Sequence, residues 1–156
     1  MSLRLRPMRE DEFAGYVERS RAGYAEDMIR NGGMPAEVAH RKAEEDLAQL
    51  FPDGYPSDVE LRVVENDSGD AVGHVVFAER ERYGTRYAFL YDIEIDAAQR
   101  GQGLGRTAMQ LLEAEVRELG LGELQLNVFG GNATARSLYR SLGFAELSVQ
   151  MGKELR

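Results

Sequence analysis

The sequence predicts an α+β fold in which helices pack on a mixed sheet. Three observations support this prediction. Short runs alternate apolar and polar residues as strands do, and longer runs carry apolar residues at helical spacing. The two patterns follow one another in the order β-α-α-β-β-β-α-β-α-β. The 156 residues suit one domain with a hydrophobic core, so we expect a single domain over residues 1–156.

The first half of the chain places a pair of helices between its first strands. Proline ends the first strand, glycines at 32 and 33 stop the first helix, and Pro35 starts the second. Gly73 indicates a bulge or close packing within its strand. The predicted elements are a strand at 3–7, helices at 11–28 and 35–50, a turn-rich connector at 51–56, a strand at 59–63, a hairpin turn at 66–70 and a strand at 71–78.

The second half alternates strands and helices after a second turn. Gly120 is expected to end the longer helix, and Asn132 is a good N-cap for the next one. The predicted elements are a turn at 80–85, a central strand at 89–95, a glycine-rich turn at 99–106, a helix at 104–119, a strand at 123–128, a loop at 129–131, a helix at 133–142 and a final strand after Gly143-Phe144.

The composition excludes several classes of function. With 19 basic and 27 acidic residues the formal charge is −8, which argues against non-specific nucleic-acid binding. The charge mildly favours a cationic or amine partner, but it is explained better by an acidic surface that simply keeps the protein in solution. The absence of cysteine excludes disulfides, a thiol nucleophile and a cysteine-based zinc site. No apolar run has the length of a membrane span and the first residues lack a signal-peptide core, so we expect a cytoplasmic protein without a membrane partner.

The stretch Gln99–Arg106 has the features of an anion-binding turn. It joins a strand to a helix N-terminus, where free N–H groups and the helix dipole favour negative charge. Glycines at alternate positions let the main chain approach a phosphate closely. A P-loop is excluded because no Lys-Ser/Thr pair follows, and the spacing Gly101-x-Gly103-x-Gly105 is not the dinucleotide fingerprint.

Two motifs together resemble the GNAT superfamily of acyl-CoA-dependent N-acyltransferases. The first is Arg100-x-x-Gly103-x-Gly105, which resembles that family's pyrophosphate loop. The second is the run at 132–144, which resembles its Asn-x-x-Ala-x-x-Leu-Tyr-x-x-x-Gly-Phe block. The resemblance covers roughly residues 60–153 and implies a GNAT-like, mostly antiparallel central sheet with helices on both faces.

The resemblance implies acetyl-CoA as co-substrate. It assigns the pyrophosphate to the 100–106 backbone and the pantetheine arm to main-chain groups near Ile93 and Ile95, where the arm would pair like an added strand. Asn127 either orients the cofactor or is an edge residue. The expected cofactor-binding residues are Ile93, Ile95, Arg100, Gly101, Gln102, Gly103, Leu104, Gly105, Arg106, Asn127, Asn132 and Ala135.

Three residues are candidates for catalysis. Tyr139 occupies the family's general-acid position, and a neutral phenol is a reasonable donor to a thiolate. Asp92 and Glu94 share one face of the central strand, where either could accept the amine's proton through water, attract a cationic amine, or be a plain surface pair. With His40 and His74 apart and no clustered ligands expected, we predict no metal site.

The acceptor and the exact activity stay open at this point. Tyr24, Glu26, Asp27 and the 51–56 turn are candidates for acceptor contacts. The leading hypothesis is transfer of acetyl from acetyl-CoA to a primary amine of a small molecule or peptide, by direct attack in a ternary complex. The alternatives are a CoA-binding sensor or structural module without turnover, and another kind of nucleotide-phosphate binder. The sequence leaves the acyl chain and the oligomeric state open, a homodimer included.

Overall fold

A computed structural model describes residues 2–55 and 58–156. Its strands form one sheet in which the spatial order follows the order along the chain, and neighbours are antiparallel except for the last two strands, which are parallel. The elements are β1 (Leu3–Pro7), α1 (Glu10–Arg30), α2 (Ala36–Leu50), β2 (Glu60–Asn66), β3 (Ala71–Arg82), β4 (Thr85–Ile95), a 3₁₀ turn (Ala97–Gln99), α3 (Leu104–Glu118), β5 (Leu124–Leu126) and α4 (Ala133–Ser141). The predicted mostly antiparallel sheet is confirmed, whereas Pro56 of the predicted connector lies outside the described residues.

Helices cover both faces of the sheet, as predicted. On one face Val75 and Phe77 of β3 belong to a core with Leu112 of α3. On the other face Val76 belongs to a second core with Tyr16 of α1. Because alternate side chains of a strand point to opposite faces, β3 is buried on both sides and forms the centre of the domain. Among the described residues, no helix is both long enough and apolar enough to cross a membrane.

The β3–β4 hairpin is longer and its turn tighter than predicted. Tyr83 and Gly84 have φ of 53° and 81°, and these two residues alone form the turn between the strands. Two central residues with positive φ are typical of the turn whose twist matches that of the flanking strands. The predicted turn at 80–85 was therefore wrong in extent, because its charged residues lie in the paired strands.

A β-bulge at Tyr91 interrupts the pairing of β3 with β4. Leu90 pairs with Phe77, whereas Asp92 pairs with Val76, so Tyr91 has no partner in the register. Glu94 consequently lies opposite His74. Cross-strand partners share a face of the sheet, so the bulge brings these side chains to the same side.

The pairing of β4 with β5 covers only a short stretch. It runs from Ala88 with Leu124 to Leu90 with Leu126, and β5 ends there, earlier than the predicted 123–128 strand. β4 continues to Ile95. The outer edge of β4 beyond the bulge is therefore open along the side where β5 would otherwise lie.

The predicted final strand is wrong. Residues 145–156 form neither a helix nor a strand, and they expose Leu147, Val149, Met151 and Leu155. The alternation of apolar residues suits a strand, but a strand also requires a partner edge within reach, which a sequence pattern does not reveal.

Gly73 is required where β3 approaches β4, which confirms the predicted close packing. A Cβ at this position would overlap the main-chain oxygen of Glu94, and an adjacent irregularity at Val64/Glu65 shifts the β2 register. We expect Gly73→Ala to lower the free energy of unfolding by about 1–3 kcal/mol, measured by urea denaturation. Gly122→Ala is the control, since its Cβ meets nothing within 4 Å. Equal midpoints for the two variants would contradict the expectation.

Candidate active site

A groove of about 240 Å³ lies beside the open edge of β4. It brings together three parts of the chain that the sequence predicted separately: the end of β4, the glycine-rich loop and Tyr139 of α4. The lining residues are Ile93, Ile95, Gln99, Arg100, Gly101, Gly103, Leu104, Gly105, Met109, Leu138 and Tyr139. The groove is continuous with the α3 core through Met109, which is fully buried.

The loop owes its shape to two glycines. Gly101 and Gly103 have φ of 81° and 76°, a region that side chains with a Cβ disfavour. Gly103 is also the N-cap of α3, so the loop ends where the first helical N–H groups have no intrahelical partner. Gly105 lies within α3, where a Cβ would make ordinary contact with Leu138. The loop therefore presents main-chain donors and a helix N-terminus to the groove.

Main-chain groups of Ile93 and Ile95 face the groove. Asp96 N–H donates to the Val72 carbonyl at 2.8 Å on the β3 side. Hydrogen-bonding directions alternate along an antiparallel strand, so Ile93 and Ile95 direct their N–H and C=O groups to the edge of β4 that faces away from β3. Arg100 Nε donates to the Ile95 carbonyl at 2.8 Å, which agrees with that direction. An extended ligand can pair with this edge as an added strand.

Both arginines of the loop already have partners within the chain. Arg100 contacts Glu94 as well, with 3.2 Å between Nη2 and Oε1. Arg106 donates to Ser141 Oγ at 2.5 Å and so connects α3 to α4. Their predicted contacts with a phosphate stay predictions.

Five of the predicted cofactor residues lie outside the groove lining, Arg106 among them. Gln102 and Asn127 are exposed, the latter just beyond β5, and Ala135 is half-buried in the first turn of α4. Asn132 is the predicted N-cap, since its side chain accepts a hydrogen bond from Ala135 N at 3.2 Å. Contact of these residues with a cofactor stays a prediction.

Tyr139 is held as a neutral phenol at the groove. Its ring packs edge to face on Phe144, with 5.6 Å between centroids. Burial raises the pKa of Tyr139, and the negative charges of Asp27 and Asp92 raise it further. A raised pKa keeps the proton on the hydroxyl at neutral pH, which is the state that a general acid requires.

The two candidate carboxylates differ in their partners. Asp92 Oδ2 lies 2.8 Å from His74 Nε2 and accepts a hydrogen bond from Ser20 Oγ at 3.0 Å. Glu94 is half-buried against α1, where a Cβ on Gly23 would lie 3.2 Å from its Oε2. Burial raises the pKa of Glu94, while the charges of His74 and Arg100 oppose that shift. Asp92 is thus held by its neighbours, whereas the raised pKa of Glu94 makes that carboxylate a candidate base.

The expectation that no ligands cluster around His74 was wrong. Nε2 of His74 and one carboxylate oxygen each of Asp92 and Glu94 lie within 4.8 Å of one another, a set that could hold a metal ion. The separation of His74 and Asp92 is, however, that of a direct hydrogen bond. Sequence reasoning also missed Ser20 and Tyr16, whose ring lies 4.9 Å from that of His74.

The residues predicted to contact the acceptor lie in different surroundings. Glu26 is exposed and pairs with Arg30, and its contact with an acceptor stays a prediction. Tyr24 donates its hydroxyl to Asp46 on α2 at 2.9 Å. In the described part of the 51–56 turn, Phe51 packs in the core under α1. Asp27 alone among these candidates is close enough to Tyr139 for its charge to raise the pKa of that phenol.

The geometry agrees with what comparison with known proteins finds. Residues 26–144 match the model of the acetyltransferase (GNAT) family. The chain is 31% identical to the uncharacterized N-acetyltransferases YdgE and YycN of Bacillus subtilis, over 99% of this chain and at least 99% of each relative. The crystal structure of YycN superposes with a TM-score of 0.91 at 30% identity, covering 99% of both chains. A ribosomal protein bS18-alanine N-acetyltransferase of Escherichia coli is 40% identical over 63 residues, 40% of this chain and 43% of that enzyme.

Proposed function

The chain belongs to the GNAT family of acetyltransferases and is an acyltransferase, and from this premise we propose that it transfers acetyl from acetyl-CoA to a primary amine by direct attack in a ternary complex. One observation carries the proposal: a single groove joins the glycine-rich loop, the open edge of β4 and the Tyr139 hydroxyl. These are the parts that binding a pyrophosphate, orienting a thioester and protonating a thiolate require.

The residues present fit acetyl-CoA as a substrate. The left-handed conformations of Gly101 and Gly103 leave open space where a Cβ would stand, which permits close approach of a phosphate. The N–H groups at the start of α3 and the arginines at 100 and 106 would hold the pyrophosphate. The outward main-chain groups of Ile93 and the N–H of Ile95 would pair with the amides of the pantetheine arm, and one of these N–H groups would polarise the thioester oxygen.

Glu94 and Tyr139 divide the proton transfers in the proposed mechanism. Glu94 accepts the proton of the ammonium group through water, which leaves a neutral amine able to attack. The nitrogen forms a bond to the thioester carbon and gives its second proton to water, and the C–S bond breaks. Tyr139 gives its proton to the departing thiolate and is reprotonated from solvent. Asp92, held by His74 and Ser20, keeps the negative charge beside the amine fixed in place.

A screen of acceptor amines with acetyl-CoA, followed by thiol release, tests the proposed function. The panel should contain small amines and peptides, since the Escherichia coli relative is named for an alanine of a ribosomal protein. Sustained release with at least one amine supports the proposal. Tight CoA binding with no release for any amine would favour a sensor or structural module instead. Competition by ATP but not by pantetheine compounds would favour another nucleotide-phosphate binder.

Substitution of Gly103 tests the assignment of the loop. Gly103→Val forces a β-branched residue into a left-handed conformation, and we expect the Kd of CoA to rise roughly tenfold or more, measured by calorimetry. Gly84→Val is the matched control, because it imposes the same strain at the distant hairpin, with φ of 81°. Equal CoA affinity for the two variants would show that the loop does not bind the cofactor.

We also propose that residues 1–156 act as a single domain in the cytoplasm. Limited proteolysis tests the first statement and fractionation of cells the second.

A further inference from the structure

One face of α1 lies along the carboxylates of the site. Tyr16, Ser20, Gly23 and Asp27 are spaced by four, three and four residues, which puts them in one row on a helix. The first three contact His74, Asp92 and Glu94 in that order. Asp27 is the next member of this row, about 6 Å further along the helix axis than Gly23.

Asp27 carries a half-buried negative charge that no cation neutralises. Its Oδ1 accepts a hydrogen bond from Asn31 Nδ2 at 2.6 Å, and it has no ion-pair partner among the residues that the structure describes. Glu94, by contrast, lies within 3.2 Å of Arg100. Asp27 therefore offers a free carboxylate oxygen near Tyr139, whose pKa its charge raises.

The loop between β5 and α4 packs against the C-terminal end of α1, just beyond Asp27. A Cβ on Gly32 would lie 3.0 Å from the Phe129 ring, and one on Gly131 would lie 3.0 Å from the Asn31 carbonyl. The backbone that follows Asp27 is thus packed tightly against the segment that leads to Tyr139. This packing limits how far the Asp27 carboxylate can lie from the α4 side of the site.

An unpartnered hydroxyl at the other end of the row also points to a ligand. Tyr16 is fully buried, and within residues 2–55 and 58–156 its hydroxyl makes no hydrogen bond. Burial raises the pKa of Tyr16 and the charge of Asp92 raises it further, whereas the neighbouring Ser20 hydroxyl lowers it. A buried polar group without a partner is unfavourable, so a polar ligand that reaches Tyr16 would gain affinity.

We infer that the acceptor is a short aliphatic diamine, with its reacting nitrogen at Glu94 and its second, protonated nitrogen at Asp27. The inference rests on the proposed function and specifies its substrate. About one helical turn, ~6 Å, separates Asp27 from Gly23, the α1 residue that lies against Glu94, and a chain of about four carbons spans that length.

The second charge assists the reaction as well as binding. An ammonium group held at Asp27 contributes affinity without neutralising Glu94, which stays available for the proton of the other nitrogen. Like-charge repulsion between the two nitrogens lowers the pKa of the reacting one and favours its neutral form. In the transfer itself the C–N bond forms, the C–S bond breaks, and the nitrogen at Asp27 keeps its proton throughout.

Comparing 1,4-diaminobutane with 1-aminobutane as acceptors tests the inference. For the unaltered protein we expect kcat/KM to be at least about tenfold higher for the diamine, mostly through KM. Asp27→Asn should reduce that ratio towards one, because the diamine loses more kcat/KM than 1-aminobutane does. Glu18→Gln, on the exposed side of α1 beside Arg21, is the control and should preserve the ratio. Calorimetric titration of 1,4-diaminobutane into the CoA-bound protein should show binding that Asp27→Asn weakens by a similar factor.

The possible failures are distinguishable. Equal kcat/KM for the two amines, or an equal loss for both in Asp27→Asn, would overturn the diamine inference and leave the proposed function standing. Preference for a peptide N-terminus over the diamine would do the same. Absence of thiol release with every amine, with CoA binding intact, would overturn the proposed function itself. Circular dichroism of Asp27→Asn guards against a folding defect as the cause.

Discussion

Replacing Tyr139 by phenylalanine is expected to lower kcat by about 10²-fold or more, the size of effect typical of a lost general acid. The Kd of CoA should change little, because phenylalanine preserves the ring that packs on Phe144. Thiol-release assays measure kcat and calorimetry measures the Kd of CoA, so the two effects can be separated. Since the pKa of Tyr139 is raised, the acid form is lost only when the pH rises above the usual range of a tyrosine.

Tyr83→Phe is the appropriate control for this substitution. It removes a hydroxyl from a tyrosine that is 95% exposed at the β3–β4 turn, remote from the groove. Turnover should be the same as for the unaltered protein. If Tyr139→Phe also kept full turnover, the thiolate would have to receive its proton from water, and the assignment of Tyr139 as acid would be wrong.

Glu94→Gln is expected to produce the other large loss, about 10²-fold in kcat at neutral pH, since an amide cannot accept the proton of the amine. The base form of Glu94 is lost as pH falls through its raised pKa, so the unaltered protein should show an acidic limb in its pH–rate profile. The variant should lack that limb. A profile with the same limb in Glu94→Gln would transfer the role of base to another group or to water.

The stability of the Glu94 variant distinguishes catalysis from folding. Burial raises the folded-state pKa of Glu94 above its unfolded value, so above both pKa values ionisation favours the unfolded state. Neutral glutamine at this position should therefore keep or raise the Tm at neutral pH. A marked fall in Tm would mean that the lost turnover reflects damage to the structure.

Local patterns predicted most of the fold. The bounds of β1, α1 and α3 depend on proline, on apolar spacing and on a glycine after the helix, and these determinants lie within a few residues of one another. Gly73 was also recognisable, because a glycine inside a strand indicates close approach of another backbone. The predictions were wrong where a partner decides the outcome, as in the shortened β5 and the missing final strand.

The sequence predicted the site residues that belong to local motifs, but not those whose position depends on strand pairing or on helix packing. The loop and Tyr139 belong to motifs, whereas Glu94 owes its place beside His74 to the bulge at Tyr91. Without the bulge, the hairpin register would set Ile93 opposite His74 and would turn Glu94 to the α3 face. The one-residue shift sets Glu94 opposite His74 instead, and no sequence pattern revealed that shift. Ser20 is a polar residue on a helix, and only the packing of α1 on β4 gives it a partner.

The open edge of β4 has a consequence for the energetics of the whole domain. Main-chain groups at Ile93 and Ile95 lack a neighbouring strand, so a ligand that pairs with them would complete the sheet as well as occupy a site. Any ligand that binds only the folded chain adds its binding free energy to stability, about 2.7 kcal/mol when its concentration is 100 times its Kd. A domain with total stability of about 5–15 kcal/mol would then owe a substantial share of it to its substrate, and its lifetime in a cell would follow the supply of acyl donor.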